Sequence, residues 1–249
     1  MRLPWLILLL TVTLLPIQAQ SGKGLASFTF RTGYSDVYLF RGRNFNDDDT
    51  LFGELSFGIG KFAYTAFFAD PFDEGFGTID QELSHSFSYT TLSGRRVTTI
   101  GYQFLNYDGI QPDTQEFFTR VRHLTRWNAT YGLSFDFDTY RGYYFDYSFR
   151  RDYPFTRTTA LQFGLSGGIA LDLDEKTNRR GVVTEPGFFG DDGFTHATAK
   201  VQFLWQAAPW FSLETGVHYN YSFDDALYEP QGLDRDTVIF RSWLTLKLQ

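Results

Sequence analysis

The chain has 249 residues, of which 43% are hydrophobic and 19% aromatic, and its mean hydropathy is −0.26. Its 29 acidic residues outnumber its 22 lysines and arginines, and this acidic balance argues against nucleic acid as a partner. The chain has no cysteine, which excludes a lipoprotein and a disulfide-stapled scaffold. High aromatic content with a negative mean hydropathy suits a β-barrel, because its lipid-facing residues alternate with residues that face water.

Residues 1–20, MRLPWLILLLTVTLLPIQAQ, have the pattern of a secretory signal peptide. Arg2 supplies the positive charge, and the apolar core from Leu6 to Leu15 is too short for a stop-transfer helix. The alternative is an N-terminal membrane anchor, which the short apolar run disfavours. The sequence therefore predicts a signal peptide over 1–20 and one β domain over 21–249.

Beyond this segment, apolar and polar residues alternate with a period of two, the pattern of β-strands with one apolar face. The first predicted strand runs from Ala26 to Phe40, with its apolar face formed by Phe28, Phe30, Tyr34, Tyr38 and Phe40. A polar loop, RGRNFNDDDT, follows it. Further strands are predicted over 51–59, 62–68, 79–90, 98–104, 116–122, 129–138, 143–150, 161–171, 197–205, 211–221 and 238–248.

The clearest of these patterns is a hairpin from Phe194 to Tyr221. Alternation from Ala197 to Trp205 is followed by a tight turn at Pro209 and a second alternating run that begins at Phe211. Each run is long enough to cross a bilayer at a tilt. The pair therefore predicts a transmembrane β-hairpin, and its repetition along the chain predicts a barrel.

The connectors between predicted strands also alternate in character. Those after the first, third, fifth, ninth and eleventh strands are polar or long, whereas the others are mostly tight, the short seventh being the exception. Long loops on one rim and short turns on the other are typical of outer-membrane barrels, and a soluble β-sandwich is the alternative. The predicted fold class is all-β, a transmembrane antiparallel up-and-down β-barrel of about 12 strands.

The polar faces of these strands predict the side chains that line an enclosed lumen. One interpretation is that charges on neighbouring strands neutralise one another in a narrow interior. The other is that they create a transverse field that sorts solutes. The candidates are Arg120, Arg122, Arg126, Asp136, Asp138, Asp146, Arg150, Lys200, Glu214, His196 and His218.

Histidines are the residues to examine for enzymatic activity, since a histidine base activates serine in hydrolases. His85 lies among Ser84, Ser86 and Ser88, but the alternation places it on the opposite face of the strand. His196, His218 and Glu214 offer ligands for a metal, although residues of these types more often line a wet lumen. We therefore expect no catalytic site, no metal and no cofactor.

One segment, Tyr34-Ser35-Asp36-Val37-Tyr38-Leu39-Phe40-Arg41-Gly42, resembles a family signature. Its residues Ser35, Tyr38, Phe40, Arg41 and Gly42 resemble the S-x-Y-x-F-R-G motif of the TorF-type porins, with Val37 and Leu39 spacing it slightly differently. The resemblance implies a Gram-negative outer-membrane barrel that acts as a pore, and it supplies no catalytic residues. The chain ends on Gln249 instead of the aromatic residue that barrels of this class commonly carry.

The function expected from these patterns is passive passage of small polar solutes through an outer-membrane barrel. An outer-membrane enzyme that acts on lipid, or a structural or adhesive barrel without an open pore, is the alternative. The expected partners are outer-membrane lipid, lipopolysaccharide and small solutes, since acidic loops such as Asp47–Asp49 can recruit cations that bridge lipopolysaccharide phosphates. The plainer interpretation of these loops is solubility, and the sequence gives no oligomeric state.

Overall fold

The computed structural model describes residues 26–72, 79–109, 111–177, 183–185, 187–225 and 235–248. The predicted signal peptide and the terminal Gln249 lie outside this part of the chain. Within it, no helix is long and apolar enough to cross a membrane.

The described residues fold entirely as strands and their connections. Most strands have between nine and sixteen residues, and the five short ones are β2, β3, β8, β13 and β14. In chain order the strands are β1 (Ala26–Ser35), β2 (Tyr38–Phe40), β3 (Arg43–Asn46), β4 (Thr50–Ile59), β5 (Phe62–Pro71), β6 (Ile79–Ser93), β7 (Arg96–Leu105), β8 (Tyr107–Gly109), β9 (Thr114–His123), β10 (Asn128–Asp136), β11 (Tyr143–Pro154), β12 (Thr159–Leu171), β13 (Lys176–Thr177), β14 (Val183–Glu185), β15 (Gly193–Ala208), β16 (Phe211–Ser222) and β17 (Asp236–Leu248).

The twelve long strands form one closed antiparallel ring in the order β1-β17-β16-β15-β12-β11-β10-β9-β7-β6-β5-β4. The ring closes because β1 pairs with β17 on one side and with β4 on the other, and because β5 pairs with β6. Closure satisfies the hydrogen bonds of every strand edge, which hydrocarbon requires because it offers no water partners. The predicted fold class, with its 12 strands, is confirmed.

Alternation along the strands places large apolar side chains on the outside of the ring. Phe87, Phe117 and Val217 are 57%, 56% and 49% exposed. A soluble β-sandwich would pack Phe163 and Phe203 between two sheets, but here they are 41% and 40% exposed. An apolar band of this kind on the outer face of a closed barrel is the surface that lipid covers.

The two rims of the ring differ in their connections. Tight turns join the strands at residues 60–61, 94–95, 124–127, 155–158 and 209–210, and we call this end the short-turn rim. The other end, the long-loop rim, carries the connections 36–49, 72–78, 106–113, 137–142, 172–192 and 223–235. The predicted sorting of connectors is therefore confirmed, and the short connector after β10 still lies on the long-loop rim.

The first strand is shorter than its sequence pattern predicted. β1 ends at Ser35, and β2 and β3 form a separate hairpin of residues 38–46 that does not belong to the wall. The prediction that Tyr38 and Phe40 continue the lipid-facing side of the first strand is wrong. Tyr38 is 4% exposed and Phe45, predicted to lie in a polar loop, is fully buried. We call residues 38–46 the lumen hairpin.

The hydrophobic core of the molecule lies inside the ring, around the lumen hairpin. Phe45 is at its centre, with ring centroids 5.5 Å from Tyr38, 5.3 Å from Tyr107 and 5.9 Å from Phe188. Edge-on packing of aromatic rings at these distances is favourable. The buried cluster comprises Tyr38, Phe45, Phe52, Ala69, Leu105, Tyr107, Tyr140, Tyr144, Ala170, Leu173, Phe188 and Phe189.

Candidate functional site

The tip of the lumen hairpin is a two-residue turn formed by Arg41 and Gly42. Both residues have positive φ, 55° for Arg41 and 83° for Gly42, as a type I′ turn requires. A non-glycine residue with positive φ is uncommon, so the local fold holds Arg41 in a conformation that its side chain disfavours. The turn brings the backbone back on itself and leaves the Arg41 side chain free to extend from the tip.

Arg41 forms an ion pair with the wall on the far side of the lumen. Its Nη1 and Nη2 atoms donate to Oε1 and Oε2 of Glu116, each at 2.6 Å. Gln103 donates a further hydrogen bond of 2.6 Å to Oε2 of the same carboxylate. Glu116 lies on β9, which is nearly opposite β1 in the ring. A bidentate arginine–carboxylate pair therefore anchors the hairpin tip across the lumen.

The environment of this pair keeps both groups charged. The Arg41 guanidinium lies 4.4 Å from the centre of the Tyr144 ring and 4.9 Å from that of Phe40. Burial lowers the pKa of Arg41, but the charge of Glu116 and its hydrogen bonds raise it more, so that the pKa lies above the ordinary value. The hairpin tip thus carries a permanent cation, neutralised by a wall carboxylate.

A second contact fixes the base of the hairpin. The Tyr38 hydroxyl donates a hydrogen bond to the Glu82 carboxylate on β6, and Ser84 donates another of 2.5 Å. Burial and the negative charge of Glu82 raise the pKa of Tyr38 well above its ordinary value, so Tyr38 stays a neutral donor. Tip and base are therefore held by different parts of the wall.

The side of the hairpin packs against β15, β16 and the 172–192 loop. A Cβ atom on Gly42 would lie 2.6 Å from Cγ of His196, so only glycine fits here. Ser222 donates a 3.2 Å hydrogen bond to the carbonyl of Gly42, and Arg43 donates one of 3.2 Å to the carbonyl of Phe188. These contacts make the hairpin a partition that narrows the lumen at the long-loop rim.

A cavity of about 680 Å³ lies inside the ring next to the hairpin. Leu39, Phe40 and Arg41 form one of its walls. Its volume lies within the range usual for small-molecule sites. Eight of its lining side chains are aromatic, namely Tyr38, Phe40, Phe52, Phe67, Phe118, Tyr144, Tyr147 and Trp243. Aliphatic hydroxyls line it as well, from Thr65, Ser84, Ser86, Ser88, Thr99, Ser134, Ser148 and Ser166.

The structure distributes the predicted lumen residues over several environments. Arg120, Asp146 and His196 line the cavity itself. Five other predicted residues occupy inward-facing strand positions but do not line this cavity, namely Arg122, Arg150, Lys200, Glu214 and His218. Asp136 is 2% exposed and organises the next connection, since its carboxylate accepts from Thr114 and from the backbone nitrogens of Asp138, Tyr140 and Arg141.

Two of the predicted lumen residues lie beyond the ends of the strands. Arg126 is an exposed residue of the 124–127 turn, and Asp138 follows the end of β10 at Asp136. The Asp138 carboxylate accepts a 2.9 Å hydrogen bond from Gln115, whose parity on β9 is outward. Arg126 and Asp138 therefore do not lie on the inner wall as predicted. The prediction fails because the alternation in the sequence continues past the point where strand pairing stops.

The contacts that hold the hairpin were not predicted from the sequence. Alternation along the sequence places Glu82, Gln103 and Glu116 on the polar faces of their strands, but it does not identify them as partners of the hairpin. The available signal was the pair Arg41-Gly42, because Gly after a polar residue favours a two-residue hairpin turn. That signal predicts a turn, but the partner of Arg41 depends on the closure of the ring.

His85, His196 and His218 lie in separate environments. His85 faces outward, with its Nδ1 atom 2.7 Å from the hydroxyl of Tyr64. His196 pairs in register with Ser222, and His218 with Lys200, so the two histidines are roughly 13 Å apart along the strands. Among the described residues, no cluster of three or more histidine, aspartate or glutamate side chains is placed to hold a metal ion.

No protein-family profile matches this sequence, and no curated protein matches it. Solved structures match with TM-scores of 0.53 for the KdgM porin, 0.53 for the NanC porin and 0.50 for an outer membrane channel from Pseudomonas putida F1. Sequence identities are 11%, 11% and 8%, over 90%, 89% and 91% of this chain and 99%, 100% and 97% of the matched chains. At these identities the similarity shows a shared barrel fold, and membership of the TorF-type porins stays a prediction.

Proposed function

We propose that this protein is an outer-membrane channel for the passive passage of small polar solutes, with the lumen hairpin as its constriction. The observation that carries the proposal is the ion pair between Arg41 and Glu116, which ties a segment from one side of the ring to the other side. A barrel that served only as a scaffold has no need to place a charged, hydrogen-bonded hairpin across its interior.

Two features support a location in the outer membrane. A lipid-facing apolar band surrounds a closed ring, and the sequence predicts a signal peptide over 1–20 that directs export. Three proteins of similar fold are called porins or outer membrane channels, and one structure is of the KdgM porin in complex with disordered oligogalacturonate. Contact with outer-membrane lipid and lipopolysaccharide is part of the same proposal.

The contacts of the hairpin suit an element that can be displaced. Three buried polar atoms on or against it, Nε of Arg43, Oδ1 of Asn44 and Oη of Tyr107, have no hydrogen-bond partner among the described residues. Burying a polar atom without a partner costs about 1–3 kcal/mol. Movement of the hairpin toward the rim would hydrate these atoms, which reduces the free energy needed to widen the lumen.

The test is a double-mutant cycle read by planar-bilayer conductance. Arg41→Gln or Glu116→Gln leaves a buried charge unpaired, at a cost of about 3–5 kcal/mol to the inserted hairpin. Because about 1.4 kcal/mol is a factor of ten, the ratio of displaced to inserted hairpin should rise roughly a hundredfold or more. Each single variant should therefore spend more time in a high-conductance state than the wild type.

The double variant Arg41→Gln/Glu116→Gln removes both charges and should lie between the wild type and the single variants. Arg31→Gln is the matched control, because Arg31 pairs at 3.6 Å with Glu54 on the neighbouring strand and not with the hairpin. Its conductance states should have wild-type lifetimes. Equal conductance in the four proteins of the cycle (the wild type, the two single variants and the double variant) would contradict the hairpin as constriction. A folded wild type without conductance would contradict the channel itself.

A further inference from the structure

A row of basic side chains crosses the inner wall over five consecutive strands, four of which contribute one basic residue each. Arg150 on β11 pairs in register with Gly164, which pairs with Lys200 on β15, which pairs with His218 on β16. Arg241 on β17 lies two residues along from Ile239, the register partner of His218. All four basic side chains share the inward parity, so they are neighbours on one surface.

Among the described residues, Arg150, Lys200 and Arg241 form no ion pair, and Arg241 donates only a long hydrogen bond of 3.5 Å to Ser35. Nε2 of His218 is buried and has no hydrogen-bond partner.

The nearest inward acids form no ion pair with the row among the described residues. Asp152, on the same face of β11 as Arg150, accepts a 2.7 Å hydrogen bond from Gln162. Glu214 on β16 pairs in register with Trp243, two residues from Arg241, so it borders the row, but it forms no ion pair with it among the described residues. The acids of the opposite wall, Glu82 and Glu116, are held by the lumen hairpin.

The arrangement brings like charges together. The Lys200 side chain leans over Gly164, where a Cβ atom would lie 2.8 Å from its Cγ atom, and therefore leans toward the strand that carries Arg150. Like charges on neighbouring strands repel one another, and an anion between them relieves the repulsion. This basic row lies in a chain whose formal net charge is −7, so it is not a consequence of overall composition.

We propose that Arg150, Lys200, His218 and Arg241 form an anion-binding wall that makes the channel selective for small anionic solutes such as carboxylates and phosphates. The selectivity rests on the proposed channel function, whereas anion binding to the wall does not. A charged wall raises the local concentration of oppositely charged solutes and sets which ions pass.

The selectivity is tested by the reversal potential of the refolded protein in a potassium chloride gradient. We expect chloride to permeate better than potassium, and the permeability ratio to fall severalfold in the variant Arg150→Gln/Lys200→Gln/Arg241→Gln. The control variant Lys61→Gln/Arg126→Gln/Arg157→Gln removes the same charge from exposed turns of the short-turn rim and should keep the wild-type ratio. A cation-selective wild type, or an equal fall in both variants, would overturn the proposal and leave the channel function intact.

Binding is measured separately, without conduction, by nitrogen NMR of histidine rings in detergent micelles titrated with inorganic phosphate. The His218 resonance, assigned by its loss in His218→Gln, should move in the wild type and stay in place in Lys200→Gln. A shift in gel migration on heating shows whether each variant has folded. If the triple variant has not folded, the single variant Lys200→Gln replaces it. A His218 resonance that phosphate does not move would overturn the anion site even in a conducting protein.

Discussion

Two residues of a single turn determine how the lumen hairpin lies inside this barrel. Arg41 and Gly42 both have positive φ, and the turn lies against His196 on the wall. The sequence motif that contains them resembles a family signature, and its alternation predicts a continuation of the first strand. Its physical role is to reverse the chain inside the lumen and to present a guanidinium to Glu116. A motif match located the residues, but their chemistry becomes clear only from the partner.

Gly42→Ala tests the turn at this scale. A left-handed backbone with a Cβ atom costs roughly 1–2 kcal/mol, and here the added atom would also meet His196. Gly60→Ala is the matched control, since Gly60 also has positive φ, 60°, in a wall turn with open space around it. Both variants should unfold at lower urea concentration, but only Gly42→Ala should lengthen the high-conductance state. Identical channel lifetimes in the two variants would show that the contact with His196 has no role.

For the individual strands, the alternation of apolar and polar residues predicted the barrel wall correctly but did not predict the lumen hairpin. The outward side chains must be apolar because they contact hydrocarbon. This requirement applies to each strand separately, so the sequence of one strand is enough to predict its outward face. Tyr38 and Phe40 continue the alternation of β1 and therefore resemble lipid-facing residues, although both lie inside the ring. Period-two patterns cannot distinguish an aromatic residue that meets lipid from one that fills a lumen.

Leu133→Arg tests the assignment of faces on β10. Leu133 is 42% exposed on the outward side, and an arginine facing the bilayer midplane costs about 2–4 kcal/mol. Ser148→Arg on the neighbouring β11 places the same side chain in the cavity, where water solvates it, and should cost less. Urea titration of folding into lipid vesicles gives both free energies. A greater loss for Ser148→Arg than for Leu133→Arg would reverse the assignment of inside and outside.

The whole molecule depends on the closure of the ring between its first and last strands. Eight residue pairs, from Phe28 with Leu248 to Ser35 with Arg241, join β1 to β17. This contact could be predicted, because an even number of strands with sorted connectors implies a closed barrel. The positions of Glu116 and Arg150 relative to their neighbours in the lumen could not be predicted from the sequence. They depend on which distant strands the closed ring places opposite one another.

The proposed channel requires that the interior of the ring is a passage narrowed by the lumen hairpin. The most direct measurement is single-channel conductance of the wild type beside a variant in which a short glycine-serine linker replaces residues 38–46, both shown to be folded by heat-dependent gel migration. The wild type should give small conductance steps, and the variant should give larger steps of longer duration. Equal steps in the two proteins, or a folded variant that does not conduct, would contradict the lumen hairpin as the constriction of a channel.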